Sequence, residues 1–243
     1  MWWTNLFKDM SSTSFFNFSF LPTYAVYFLQ GMGYTLLLAV VSVALAVIPA
    51  LLLALMRLSK NKVIQCISGA YIAVFRSTPL LVQLSIIYFG LFGAISIPRI
   101  TILGFVDLSR FIPGVVALAL NSSAYVAEIF RAGILAVDKG QTEAARSLGL
   151  SSWQSMKLVV LPQAIKNVLP ALANEIVTMV KESSICSMLG MAELMFVSKT
   201  VATGTYITLA PYTIAALIYF CINYPASKAI EAIERRMRRG DKQ

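Results

Sequence analysis

The chain has 243 residues, of which 58% are hydrophobic and 13% are charged. Soluble domains carry about 25% charged residues, so this composition excludes a water-soluble fold and requires lipid as the outer solvent. The formal net charge is +9, but hydrophobic runs separate the basic clusters, whereas a nucleic-acid-binding face needs them side by side. We therefore expect a membrane protein with no nucleic acid partner.

Cofactor and metal sites are not expected in this chain. It has no histidine, and its three cysteines, Cys66, Cys186 and Cys221, are widely spaced in apolar surroundings. The usual general base and most transition-metal ligands are therefore missing. A Gly-rich phosphate-binding loop is also missing, so we expect this chain to bind no ATP.

The first 23 residues form an N-terminal external segment that is rich in aromatic side chains. They lack the basic start and the small-residue cleavage site of a signal peptide. Aromatic rings favour the headgroup boundary of a membrane, so this segment either lies at that interface or is disordered. The aromatic residues are Trp2, Trp3, Phe7, Phe15, Phe16, Phe18 and Phe20.

Five segments are long and apolar enough to cross a bilayer, which takes about 20 mostly apolar residues. In chain order, the predicted spans are Tyr24–Met56, Val63–Ile95, Phe111–Val137, Leu158–Lys181 and Tyr206–Tyr224. They predict an all-α fold, a polytopic membrane helix bundle of five transmembrane helices. Residues 24–227 form this transmembrane domain, with a long loop at about residues 139–157, and residues 228–243 form a basic tail.

The basic residues predict the orientation of the spans, because Lys and Arg collect in cytoplasmic loops. Thirteen basic residues follow spans one, three and five, and four lie on the opposite side. We therefore expect the N-terminus outside and the C-terminus in the cytoplasm. Within the tail, residues 230–239 have the pattern of a helix, which a stop-transfer anchor on anionic lipid would explain.

Polar side chains recur at helical spacing inside spans three and four. Charge at bilayer depth is costly and usually marks a pathway through the bundle, although polar side chains also bond helices together. The residues of this candidate substrate pathway are Asn121, Tyr125, Glu128, Asn174, Glu175, Thr178 and Lys181. Two alternatives stay open for Arg76 and Glu128: a structural ion pair, or positions at the cytoplasmic boundary.

The loop between spans three and four predicts a short exposed helix. Thr142 is a candidate N-cap for it, and Glu143 suits its first turn. Ala144, Ala145 and Leu148 would form a small apolar face. Gly149 would let the chain turn without a steric penalty. Such a helix either docks into a groove of a soluble partner or lies on the bilayer.

The same loop resembles the EAA signature of ABC-importer permeases. Glu143-Ala144-Ala145 is followed at the family's spacing by Gly149 and by Leu161-Pro162, with Val159 in place of the usual Ile. Three further blocks resemble the polar amino-acid permeases of this family. They are FRSTPLLVQ at residues 75–83, NSSAYVAEIFR at residues 121–131 and KESSI at residues 181–185.

This resemblance implies a type I ABC importer permease that does no covalent chemistry. In the family, the helix bearing Glu143, Ala144, Ala145, Leu148 and Gly149 would be the coupling helix, seated in an ATP-binding subunit that holds ATP and Mg. The implied partners are that subunit, a second permease copy or homologue, a substrate-binding protein outside the bacterial cell membrane, and an amino acid as cargo.

Two other classes of membrane protein are alternatives. A secondary, ion-coupled carrier commonly shows internal repeats and interrupted helices, and no internal repeat is visible in this sequence. A non-transporting membrane module, such as a receptor or assembly factor, would leave the EAA-like loop unexplained.

Overall fold

The computed structural model describes residues 17–95 and 97–239, so most of the predicted N-terminal segment lies outside the described residues. The predicted helical bundle is confirmed. Its helices are α1 (Leu21–Leu58), α2 (Lys62–Ser77), α3 (Leu80–Leu91), α4 (Leu108–Leu135), α5 (Lys139–Ser147), α6 (Ser152–Leu189), α7 (Leu194–Thr205) and α8 (Ala210–Arg239). Between α3 and α4, β1 (Thr101–Ile102) pairs antiparallel with β2 (Val106–Asp107).

The centre of the bundle is the contact between α1 and α4. Ala39, Ala46, Ala50 and Ala54 of α1 are fully buried and recur on one side of that helix. Side chains this small let two helix backbones approach closely, which is how helices associate in lipid. The larger core residues lie around this seam: Tyr34, Leu38, Leu84, Leu118 and Met179.

The outer surfaces of the bundle are apolar. On α1 alone, Ile48 is 71% exposed, Val26 60% and Leu52 58%. Three helices of the described chain, α1, α4 and α6, are long and apolar enough to span a membrane. The pair α2 and α3 qualifies as a fourth span when it is taken as one bent unit.

The second predicted span is not continuous. Helices α2 and α3 meet at an angle of 106°, so the prediction of one helix over Val63–Ile95 was wrong. The break falls at Thr78 and Pro79, both in extended conformation. Proline lacks an N–H group and disfavours helical geometry in the residue before it, which is why the helix stops there.

The last third of the chain also differs from the prediction. Helix α6 extends the fourth predicted span at both ends, and the 12-residue helix α7 was not predicted. The fifth predicted span, from Ala210 onward, and the described part of the basic tail, up to Arg239, belong to one helix, α8, of 30 residues. The apolar half of α8 contains Asn223, Pro225 and several tyrosines, which makes it less apolar than the other spans.

Candidate functional site

The predicted loop helix exists, but it begins earlier than predicted. Helix α5 starts at Lys139, and its N-cap is Asp138, whose side chain accepts a 2.6 Å hydrogen bond from the backbone N–H of Gly140. The assignment of Thr142 as N-cap was therefore wrong, because Thr142 lies inside the helix. An aspartate cap satisfies an end N–H group and complements the helix dipole.

Gly149 ends the helix as predicted, with a positive φ of 88°. Two backbone bonds close the last turn, from Gly149 N–H to the Arg146 carbonyl (3.0 Å) and from Leu150 N–H to the Ala145 carbonyl (3.2 Å). This pair of bonds is a Schellman motif, which needs a left-handed residue at the position of Gly149. A Cβ added at Gly149 would meet no atom within 4 Å beyond its two chain neighbours.

The predicted apolar face of α5 is divided between two directions. Leu148 is 84% exposed, and Glu143 and Ala144 are exposed beside it, whereas Ala145 is only 5% exposed. Ala145 therefore packs against this protein itself, and of the five predicted coupling residues Glu143, Ala144, Leu148 and Gly149 remain open to a partner.

Helix α5 is tied to the start of α6. The Gln163 side chain of α6 donates to Gln141 of α5 at 3.3 Å. After Gly149, Ser151 caps α6 in a capping box: its hydroxyl accepts from Gln154 N–H, and its N–H donates to the Gln154 side chain at 2.8 Å. These bonds join α5 to the first turns of a 38-residue helix that is long and apolar enough to span a membrane.

A glutamine side chain satisfies the break in the second span. The two N–H groups of Gln83 Nε2 are shared among three acceptors, the Phe75 carbonyl (2.8 Å), the Thr78 carbonyl (3.0 Å) and the Thr78 hydroxyl (2.7 Å). Helix ends inside a bundle leave carbonyl groups without partners, and in lipid each of these costs several kcal/mol. Gln83 supplies the missing donors.

Asn121, a predicted pathway residue, holds Gln83 in this position. Its Nδ2 atom donates to Oε1 of Gln83 at 2.7 Å, and Asn121 is 3% exposed. Its side chain therefore bonds α4 to the break between α2 and α3.

Glu175, a second predicted pathway residue, joins α6 to α4. The Ser122 hydroxyl donates to Oε1 of Glu175 at 2.8 Å. Glu175 is half-buried, and Ser122 is fully buried. Interhelical bonds of this kind contribute about 0.6 kcal/mol on average in membranes.

Tyr125 and Glu128 lie on α4, one and two turns after Asn121, and both are half-buried. The guanidinium of Arg76 stacks over the Tyr125 ring at 5.4 Å. Glu128 forms a salt bridge with Arg131 of the same helix at 2.8 Å. Among the described residues, Glu128 thus pairs with Arg131, and the proposed ion pair with Arg76 is not formed.

The other predicted pathway residues lie along the open side of α6. Asn174 and Lys181 are exposed, and Thr178 is half-buried. The three are spaced i, i+4 and i+7, so they share one face of the helix. Asn167, also exposed, extends this face by two turns. We call Asn167, Asn174, Thr178 and Lys181 the α6 polar face.

The sequence interpretation assigned no role to two buried polar residues. One is Gln83, for which the Thr78-Pro79 dipeptide inside an apolar run was an available signal. The other is Glu193, which is fully buried and caps α7 by accepting from the N–H groups of Met195 (2.8 Å) and Phe196 (2.6 Å). Tyr219 of α8 donates to the same carboxyl at 3.1 Å.

Comparison with known proteins identifies the class. Residues 42–239 match the family described as the binding-protein-dependent transport system inner membrane component. The chain is 41% identical to a putative glutamine transport system permease protein of Rickettsia typhi, over 87% of this chain and 93% of that protein. It is also 41% identical to an arginine transport system permease protein of Bacillus subtilis, over 88% and 94%.

Solved structures agree with this match. The structure described as an amino acid ABC transporter with histidines superposes with a TM-score of 0.81 at 45% identity, over 90% of this chain and 98% of that one. The MetNI methionine ABC transporter superposes with a TM-score of 0.64 at 16% identity, over 87% and 98%, which shows a shared fold.

The chain belongs to the family of inner-membrane components of binding-protein-dependent transport systems. It is a multi-pass membrane permease subunit of an ABC importer, a transport component and not a catalytic one. Membership implies an ATP-binding subunit and a substrate-binding protein as partners.

Proposed function

We propose that this permease imports an amino acid and that α5 couples the import to ATP hydrolysis in a partner subunit. The observation that carries the proposal is the exposed α5 helix, closed by a left-handed Gly149 within an EAA-like loop. The named cargoes of the relatives, glutamine and arginine, support an amino acid as cargo.

The coupling surface consists of Glu143, Ala144, Leu148 and Gly149, which are all exposed. An exposed Leu148 beside small residues suits insertion into an apolar groove of a soluble protein. Ala145 supports this surface from behind, because it is buried against the rest of the loop. The groove would belong to the ATP-binding subunit, which holds ATP and Mg.

A second permease, identical or homologous, would complete the transporter. One chain supplies one coupling helix, and two ATP-binding subunits need two. The excess of basic residues after spans one, three and five supports a cytoplasmic position for α5 and the C-terminus, with the N-terminus outside. The proposed division into an external segment (1–23), a permease domain (24–227) and a cytoplasmic tail (228–243) follows the same pattern.

The α6 polar face would line the translocation path between the two permeases. Asn174 and Lys181 are exposed in the single chain, and a lipid-facing position for a polar or charged side chain is costly. A water-filled path between two copies removes this cost. Asn121, Glu175, Tyr125 and Glu128 would support the path from behind through their contacts with Gln83, Ser122, Arg76 and Arg131.

The test is amino-acid uptake in cells that lack this chain, with a panel of amino acids in competition. Uptake that is lost in the deletion strain and restored by the intact chain supports the proposal. Proteoliposomes with the assembled complex separate it from ion-coupled transport: uptake must require internal ATP and persist without an ion gradient. Uptake driven by a gradient without ATP contradicts the proposal.

A further inference from the structure

A polar cavity lies away from the α6 polar face. It has a volume of about 460 Å³ and is bordered by the end of α1, one side of α2 and the C-terminal half of α4. Its charged lining residues are Arg57, Arg76 and Glu128. The transport function proposed above gives Arg76 and Glu128 only a supporting role beside the path and assigns no ligand to this cavity.

The cavity has an excess of positive charge. Glu128 is the only acidic residue among the described residues that line it, and Arg131 already neutralises that carboxylate. The guanidiniums of Arg57 and Arg76 form no salt bridge within the described part of the chain. An occupant of this cavity is therefore expected to be an anion.

The guanidinium of Arg57 has few hydrogen-bond acceptors around it. Its Nε atom is enclosed and has no hydrogen-bond partner among the described residues, and Nη1 reaches the Gln65 carbonyl only at 3.5 Å. Gly69 makes room for this guanidinium, because a Cβ there would lie 3.0 Å from Nη1. Guanidinium groups bind phosphate oxygens through charge-assisted hydrogen bonds, so a phosphate in the cavity would balance a charge that the protein leaves unbalanced.

The surroundings of the cavity indicate a lipid as the source of the phosphate. Arg57 lies in the last turn of a spanning helix, and Lys60 and Lys62 follow it. The outward faces of the same two helices carry apolar side chains that are more than half exposed: Leu52, Leu55, Ile67 and Val74. Acyl chains would cover this surface while the headgroup reaches the arginines.

We propose that the cavity between α1, α2 and α4 binds the phosphate headgroup of an anionic phospholipid, held by Arg57 and Arg76. Basic pockets between membrane helices bind anionic headgroups by the same electrostatics.

Native mass spectrometry of the full chain in mixed micelles of phosphatidylglycerol and phosphatidylcholine tests the proposal. The wild-type chain retains phosphatidylglycerol preferentially. The double variant Arg57→Gln/Arg76→Gln loses this preference by about 30-fold, which corresponds to about 1 kcal/mol for each arginine. If the double variant cannot be purified, Arg76→Gln alone, whose side chain is exposed, loses about fivefold on the same scale.

The matched control is Lys60→Gln/Lys62→Gln, which removes the same charge from the adjacent turn outside the cavity. Its preference falls clearly less than that of the arginine double variant, because these side chains act on the headgroup only through the general surface field and do not line the cavity. Equal losses in both double variants, or none in either, overturn the proposal.

A second measurement separates a lipid from a soluble anion. The chain in phosphatidylcholine nanodiscs is heated with and without millimolar inorganic phosphate, and the result is compared with nanodiscs that contain phosphatidylglycerol. Stabilisation by phosphatidylglycerol alone supports the lipid. Equal stabilisation by inorganic phosphate identifies a soluble-anion site and overturns the assignment to lipid.

Discussion

Asn121 donates a 2.7 Å hydrogen bond to Gln83, and this bond connects an unbroken spanning helix to the break in its neighbour. The amide of Gln83 uses its donors for carbonyl groups freed by the break, and its acceptor for Asn121. Every polar group of the amide has a partner, which is how a buried polar network becomes stabilising. A broken helix can therefore persist inside the bundle as a fixed part of the fold.

This network predicts energetic coupling between the two residues. Replacing Asn121 with Ala leaves Oε1 of Gln83 buried without a donor, which costs about 1–3 kcal/mol. Replacing Gln83 with Ala removes the donors at the break and costs at least as much. A double-mutant cycle from thermal unfolding in detergent should show a coupling of about 0.5–3 kcal/mol between the two. Strictly additive losses would contradict the network.

The left-handed conformation of Gly149 predicts a selective loss of coupling. Gly149→Ala meets no neighbouring atom, so its cost of about 1 kcal/mol comes from the backbone alone. Transport should fall while the abundance of the protein in the membrane stays near that of the wild type, because the spans are untouched. Uptake normalised to abundance in membranes measures this.

Gly204 provides the matched control for Gly149. It is also exposed with open space around it, but it lies in α7 without a positive φ. Gly204→Ala should therefore transport normally. Gln154 is a poor control, because its side chain forms the capping box of α6. Normal transport by a fully assembled Gly149→Ala complex would exclude α5 as the coupling element.

The position of the α6 polar face predicts that substitutions there change transport without changing the abundance of the protein. Thr178→Val and Asn174→Ala should reduce or redirect uptake with little change in abundance, because these side chains border the open side of α6. Glu175→Ala should reduce abundance as well, because it removes the bond to Ser122. The measurement is uptake of competing amino acids per amount of protein. Parallel losses of uptake and abundance in the Thr178 variant would instead indicate helix packing.

The distribution of basic residues predicts the topology. A reporter that is active only in the cytoplasm should work when it is fused after Gln243 and fail when it is inserted near Asp107 or fused at Met1. An active reporter near Asp107 would reverse the orientation of α4 and contradict a cytoplasmic α5.

The hydrogen bonds of the Asp107 carboxylate predict that the stability of the fold depends slightly on pH. It caps α4 by accepting from Ser109 N–H (2.9 Å) and Ser109 Oγ (2.7 Å). The hydroxyl bond is the main reason why the pKa of Asp107 lies below its usual value. Because the pKa of Asp107 is lower in the folded chain than in the unfolded chain, where it is about 4, the ionised carboxylate stabilises the fold at pH values above that unfolded pKa. This stabilisation is lost as the pH falls through the pKa of Asp107 in the folded chain. Asp107→Ala should lower the free energy of unfolding by about 1 kcal/mol near neutral pH. In the variant, the free energy of unfolding should also change less as the pH is lowered below about 4.

The sequence by itself determined the class of the fold, the family and the presence of a short loop helix that ends at Gly149. Hydropathy locates apolar helices because the bilayer imposes one length and one chemistry on every span. The turn at Gly149 was predictable because a left-handed residue at a helix end is a local requirement. The break at Pro79 carried a local signal too, but a proline inside a long apolar run is also compatible with an intact helix, as Pro49 within α1 shows.

Only the tertiary structure decided which polar residues face one another. Asn121 and Tyr125 share a helix face, yet one binds the amide of Gln83 and the other stacks beneath Arg76. Glu128 forms its salt bridge with Arg131 of the same helix, although Arg76 lines the same cavity as Glu128. These partners are set by the way α1, α2, α4 and α6 pack in three dimensions, and helical periodicity reports only the direction of a side chain, not what stands opposite it.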